Sequence, residues 1–389
     1  MRKVSALALL PLFLAACGGG GGGGNDDAGG TGDTGGASNP APSETVAASS
    51  AAVVAQLDAK PVSGTSATVQ AYDLTADIGD TWRLLLNQDG TFTVKVLATQ
   101  YGLTDITGTY SQTTQGSFVT FTGANNSFVV TLDKRTSTIV GTMTIQGKKS
   151  SVVGTGYAIP ASLSKLAGDY VYFGSTRNAV GGADSGVIGG SFRIAENGTD
   201  VTLCDGGLIN ASGNCDSIDG VSANVRVSLT LAKDSTSDIT RIKLGSENFG
   251  IVSLQAGDRG PVLVIDRFGT SGGVARTGAL YAVKQQALKG NEADGTWECS
   301  YLGTKLFTVV ANGNSMKATG TNGDSTSETF HYNKVVGTSA NGFITSVAQG
   351  DSLTEGVVFL PLSSSLAVVE LDGYGSDPFD AAAVCRPKN

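Results

Sequence analysis

Histidine is almost missing from this sequence: among 389 residues there is one, His331, set in the alternating stretch ETFHYNKVV. The commonest general base therefore has a single representative, and a lone strand histidine is ordinarily a surface residue. No G-x-S-x-G elbow, H-E-x-x-H pair or P-loop accompanies it. Closely spaced C-x-x-C pairs, which thiolate metal sites favour, are absent too. Basic runs are lacking, and a net charge of −8 argues against nucleic acid and against adsorption to anionic lipid. Charged residues are only 15% of the chain while glycines number 55, a balance that suits short strands and tight turns. The longest apolar run, Val4 to Ala16, is too short for a bilayer core of about 30 Å.

That run is nevertheless informative. Arg2 and Lys3 precede it and Leu14-Ala-Ala-Cys17 closes it, the layout of an export signal over residues 1–16. Leu14-Ala15-Ala16-Cys17 resembles the lipobox of bacterial lipoproteins. The resemblance implies cleavage before Cys17 and acylation of its sulfur and amine, and two or more acyl chains give stable anchoring. Removing Arg2 and Lys3 with the leader makes the remainder more acidic still. Gly18 through Gly24 and the Gly/Ser/Thr/Pro-rich stretch that follows cannot bury a core, so residues 17–43 are expected to be a disordered tether. As a flexible coil it reaches roughly 25–30 Å. A non-acidic Gly18 after the lipidated cysteine implies, by the same resemblance, the outer membrane, with the folded part facing the periplasm or the cell surface.

Four cysteines remain once Cys17 carries lipid: Cys204, Cys215, Cys299 and Cys385. An even count in an exported chain points to disulfides, with three possible connectivities. The preferred one staples Cys204 to Cys215 across DGGLINASGN and joins Cys299 to Cys385 across the last region.

Residues 44–64 begin with the Ala-rich ETVAASSAAVVAQLD, whose Val46, Val53, Val54 and Leu57 fall near one helical face. Ser/Thr interruptions leave a short helix and an ordered linker both open. From residue 65 the period becomes two. Trp82 to Asn87, Asp89-Gly90 and Thr91 to Val96 read as strand, tight turn and strand. Turn signals recur at Asn197-Gly198, Asn312-Gly313, Asn322-Gly323, Asn341-Gly342 and Asp372-Gly373, with apolar runs such as PVLVIDRF, GVVFLPL and LAVVEL between them.

Gly79-Asp-Thr-Trp82, Gly168-Asp-Tyr170 and Gly295-Thr-Trp297 each place an aromatic just after a glycine at the start of such a stretch. These echoes divide the chain into β units at 65–160, 161–290 and 291–389; one larger two-sheet assembly is the alternative. An opening Gly-x-Trp before up-and-down strands is similar to small lipocalin-like barrels, which implies that the aromatic closes one barrel end. The fold class expected is all-β: two or three antiparallel β-barrel or β-sandwich units after a disordered tether, with one short helix or linker before them.

Candidate ligand-binding residues are Tyr170 and Tyr172, on one face of a strand as a sugar-stacking platform, and Asp205, Asp216 and Asp219 around the Cys204–Cys215 staple. No catalytic residue, metal site or cofactor is expected. The function expected is that of a membrane-anchored binding or scaffolding module for an envelope protein or a glycan. A secreted carboxylate-dependent hydrolase and a purely structural envelope protein are the alternatives.

Overall fold

The structure is a computed structural model. It describes residues 43–180, 186–217, 225–234, 237–271, 274–335, 338–346, 356–371 and 381–388. The expected leader, Cys17 and the expected tether up to residue 42, Asp219, and the expected turn at Asp372-Gly373 lie outside the described residues.

Among the described residues the fold is all-β, with antiparallel sheets preceded by one helix. Residues 69–155 form a closed eight-stranded barrel in simple up-and-down order, shut by pairing of Val69–Ala76 with Lys148–Thr155. Its interior takes alternate residues, among them Leu74, Trp82, Leu84, Phe92, Val94, Phe121, Phe128 and Val130. Turn chemistry sets the register. At Asp89-Gly90 the glycine has φ +84° and the Asp89 carboxylate accepts the Thr91 N–H at 2.9 Å, which places Leu86 opposite Phe92.

A second closed eight-stranded barrel spans residues 168–284 and is shut by Gly168–Asn178, which pairs with both Gly186–Ile194 and Val274–Lys284. A small hairpin of Gly207–Ile209 and Cys215–Ser217 leaves this barrel between two of its strands. The Cys204–Cys215 disulfide ties that hairpin back, with 5.6 Å between Cα atoms. The third sheet has nine strands. Its two edge strands, Ser325–Thr329 and His331–Val335, are separated in sequence by Phe330 alone, so the sheet curls almost shut. Cys299 and Cys385 face each other on paired strands and are disulfide-bonded.

The Ala-rich segment is a helix, Ser43–Leu57. It packs Val53 and Leu57 against the interior residues of the second barrel, alongside Leu163 and Leu166. Ser50, one of the interruptions in its apolar face, is buried and donates to the Ala256 carbonyl at 2.6 Å. A residue that weakens the apolar pattern thus docks the helix, because a buried hydroxyl needs a partner.

The opening aromatics share one arrangement in the last two sheets. Tyr170 Oη donates to the Leu166 carbonyl at 2.7 Å and Trp297 Nε1 to the Ala293 carbonyl at 2.8 Å, four residues upstream in each case. Trp82, fully buried in the first barrel, instead donates to Asp80 Oδ2 at 3.2 Å.

The three sheets also share a core on their outer faces. Val140 and Val153 of the first barrel, Val171, Phe173, Val262, Val264 and Tyr281 of the second, and Leu360, Leu362, Val368 and Val384 of the third form one buried cluster. Strands covered on both faces lose the apolar/polar alternation, which is why PVLVIDRF and LAVVEL read as unbroken apolar runs. One expected turn does not form. Asn341-Gly342 lies within the strand Thr338–Thr345. Gly342 has φ +99°, and a Cβ there would stand 2.8 Å from Val171 Cγ2, so this glycine serves close packing against the second barrel.

Candidate functional site

Where the three sheets meet, their turns enclose a cleft of about 840 Å³. The first barrel contributes residues 115–118 and Arg135. The second contributes Asp258 and Arg259 from the turn before Gly260–Ser271. Val46 of the N-terminal helix, the connection at 286–294, the start of Gly295–Tyr301, Ser364, Pro387 and Lys388 complete the walls.

Its acidic residues are all occupied by the protein itself. Asp258 accepts the Ser364 N–H at 2.8 Å and the Ser364 hydroxyl at 2.7 Å, which pins a turn of the second barrel to a turn of the third sheet. Glu292 accepts the backbone N–H groups of Lys289, Gly290 and Asn291 at 2.7, 3.0 and 3.2 Å. Asp294 accepts the Gly313 N–H at 2.7 Å.

The basic residues divide in two. Arg135 is paired with Asp133 at 2.6 Å and lies over the Phe118 ring at 5.1 Å. Arg259 is different. Its guanidinium donates to two backbone carbonyls, Glu292 O at 2.9 Å and Pro361 O at 3.5 Å. Among the described residues it has no carboxylate within 4 Å, and neither have Lys289 and Lys388. Burial holds Arg259 below the usual guanidinium range, against the pull of Asp258 and Glu292.

Polar groups also join the sheets away from the cleft. Asp77 accepts Ser150 Oγ at 2.7 Å and the Ser151 N–H at 3.0 Å within its own barrel, and the Leu302 N–H of the third sheet at 2.6 Å. Burial pushes its carboxyl up to about 6. Thr81 donates to Asp266 Oδ2 at 2.6 Å across the first two barrels, while Oδ1 is buried with no partner. Burial, with Asp80 nearby, drives Asp266 well above the usual carboxylate range.

The residues singled out from sequence lie elsewhere. Tyr170 and Tyr172 are 0% and 1% exposed and face the interior of the second barrel, where Tyr170 stacks on Phe192 at 5.1 Å. They offer no surface to a sugar, because the strand face that carries them is the face turned inward. Tyr172 Oη does reach Asp205, donating to Oδ1 at 3.1 Å. Asp216 accepts both its bonds from the Asn210 amide at 3.1 Å, within the stapled hairpin. Among the described residues no three His, Cys, Asp or Glu side chains come together as a metal site, and no helix is long and apolar enough to cross a membrane. His331 lines a smaller hollow of about 270 Å³ with Lys289, Tyr332 and Lys334. The cleft residues carried no sequence signal beyond the charged connection KGNEAD at 289–294, because they converge from turns far apart in the chain.

No protein-family model and no curated protein matches the chain. Among solved structures it is similar to the DNA polymerase III subunit beta of Pseudomonas aeruginosa, with 12% identity over 89% of this chain and 98% of that one and a TM-score of 0.11. The corresponding subunit of Borrelia burgdorferi, in complex with a natural product, has 9% identity, the same coverage and a TM-score of 0.11. Likeness at that level carries no argument about fold or activity. The class that the fold itself defines is a multi-barrel, disulfide-bonded, all-β protein.

Proposed function

We propose that this chain is an outer-membrane lipoprotein, anchored through Cys17 and facing the periplasm or the cell surface, that works by binding an envelope protein or a glycan. The carrying observation is the cleft of about 840 Å³ where three rigid sheets meet, a size and position typical of ligand sites. Two disulfides in a chain with a lipobox-like leader support an oxidising compartment. The cleft's carboxylates support binding over hydrolysis: Asp258, Glu292 and Asp294 are each held by backbone N–H groups, so none is presented as an acid–base partner for another.

The test is a glycan array and a capture from envelope extract, with the wild-type chain and with Asn291→Trp, which fills the cleft from an exposed position. A ligand retained by the wild type and lost by Asn291→Trp is the expected result. Robust turnover of an esterase, protease or glycosidase substrate, abolished by Asp258→Asn or Glu292→Gln, would overturn the binding reading.

A further inference from the structure

Resting on that reading, we infer that the cleft takes an acidic oligosaccharide whose carboxylates are received by Arg259, Lys289 and Lys388. Charges in the cleft differ in how they are partnered. The chain as a whole is acidic, with 34 Asp and Glu against 26 Lys and Arg. In the cleft the carboxylates accept from backbone N–H groups or the Ser364 hydroxyl, while Arg259, Lys289 and Lys388 have no carboxylate within 4 Å among the described residues. An anion entering here breaks no existing ion pair.

Arg259 is also preorganised. Arg259 is partly buried and its guanidinium is held by the Glu292 and Pro361 carbonyls, which fix its orientation without neutralising its charge. A planar fork fixed in that way receives a carboxylate with little further loss of side-chain freedom, and the partly desolvated setting strengthens the attraction.

The walls suit a sugar better than a peptide. Acidic peptides bind tightly when a large side chain also fills an apolar pocket, and two of the three large apolar side chains in the walls are covered. Val46 and Trp297 are 2% and 3% exposed, and Arg135 lies over one face of the half-buried Phe118. The walls also present the exposed amides of Gln115 and Asn291, which donate and accept as a hydroxyl-rich ligand requires, and that of Gln286, whose Nε2 donates to the Arg259 carbonyl at 3.2 Å. The volume has room for several linked rings rather than for one small acid.

The experiment titrates the full chain in detergent with tetragalacturonate, with neutral maltotetraose and with a short glutamate-rich peptide. Tetragalacturonate is expected to bind, more weakly as ionic strength rises. The doubly reversed variant Lys289→Glu/Lys388→Glu, altered only at exposed positions, should lose about tenfold or more in affinity at an unchanged melting temperature. Arg259→Gln should abolish binding. Equal binding of maltotetraose, or indifference to the lysine reversals, would overturn the acidic assignment while leaving a cleft that binds glycans. Preference for the peptide would overturn the sugar in favour of an acidic protein segment. Silence from all three probes also overturns this inference, whereas the broader binding reading falls only if the array and the envelope capture are silent as well.

Discussion

Asp77 of the first barrel accepts the backbone N–H of Leu302 in the third sheet at 2.6 Å, across 225 positions of sequence. Arg177 of the second barrel donates to the Asp77 backbone carbonyl at 3.5 Å and to Tyr301 Oη at 3.3 Å, so all three sheets meet at this residue. Arg177, Tyr281 and Tyr301 are the titratable groups that face it.

Stability should therefore fall as pH rises across the mildly acidic range. The buried Asp77 keeps its proton up to about pH 6 in the folded protein, whereas an unfolded aspartate releases it near 4. Between those values the folded state binds more protons, so the contribution is complete below about pH 4 and gone above about pH 6, a swing of roughly 3 kcal/mol. Asp266, raised in the same direction, adds to the slope. Urea midpoints measured from pH 4 to 7 should show the decline, and Asp77→Asn should flatten it.

Glycine 79 and glycine 90 separate backbone strain from packing between barrels. Both have φ +84°. A Cβ at Gly79 would stand 2.9 Å from Thr277 Cβ of the second barrel, while at Gly90 the nearest atom is the Tyr110 carbonyl at 3.7 Å. Gly90→Ala should cost about 1 kcal/mol, from the positive φ alone. Gly79→Ala should cost about 2–4 kcal/mol because overpacking adds to that strain. Equal losses in chemical denaturation would show that the two barrels part at this point without penalty.

The two disulfides should differ in their contribution. Cys204 and Cys215 are 11 residues apart and Cys299 and Cys385 are 86 apart. In the chain-entropy description these loops contribute about 3 and about 4.5 kcal/mol. Peptide mapping without reductant should recover both links, and Cys299→Ala/Cys385→Ala should lower the melting temperature more than Cys204→Ala/Cys215→Ala. A crossed link such as Cys204 to Cys299 would contradict the topology directly.

Anchoring is tested at the other end of the chain. Metabolic labelling with a fatty acid should mark the wild-type protein, and Cys17→Ser should abolish the label and leave an unprocessed precursor or a soluble product. An unlabelled wild type would remove the lipoprotein reading.

Local chemistry was enough for much of this protein. Period-two patterning, Asp-Gly and Asn-Gly turns and the Gly-x-aromatic openings made the all-β class and its barrels legible, because strands and tight turns are specified by neighbours in sequence. The cysteine pairs were legible for a similar reason: one loop is short, and the other two cysteines were what remained. Tertiary structure decided the rest. It turned Tyr170 and Tyr172 inward, placed Asn341-Gly342 within a strand against Val171, and used Ser50 to dock a helix whose pattern had looked interrupted. It also assembled the cleft, bringing Gln115, Arg259, Asn291 and Lys388 to one place. No local pattern encodes that convergence, since it depends on how the outer faces of three sheets bury one another. Which turns then meet is settled by that burial and by buried polar bonds such as Asp77 to Leu302, whose partners are chosen by packing rather than by sequence distance.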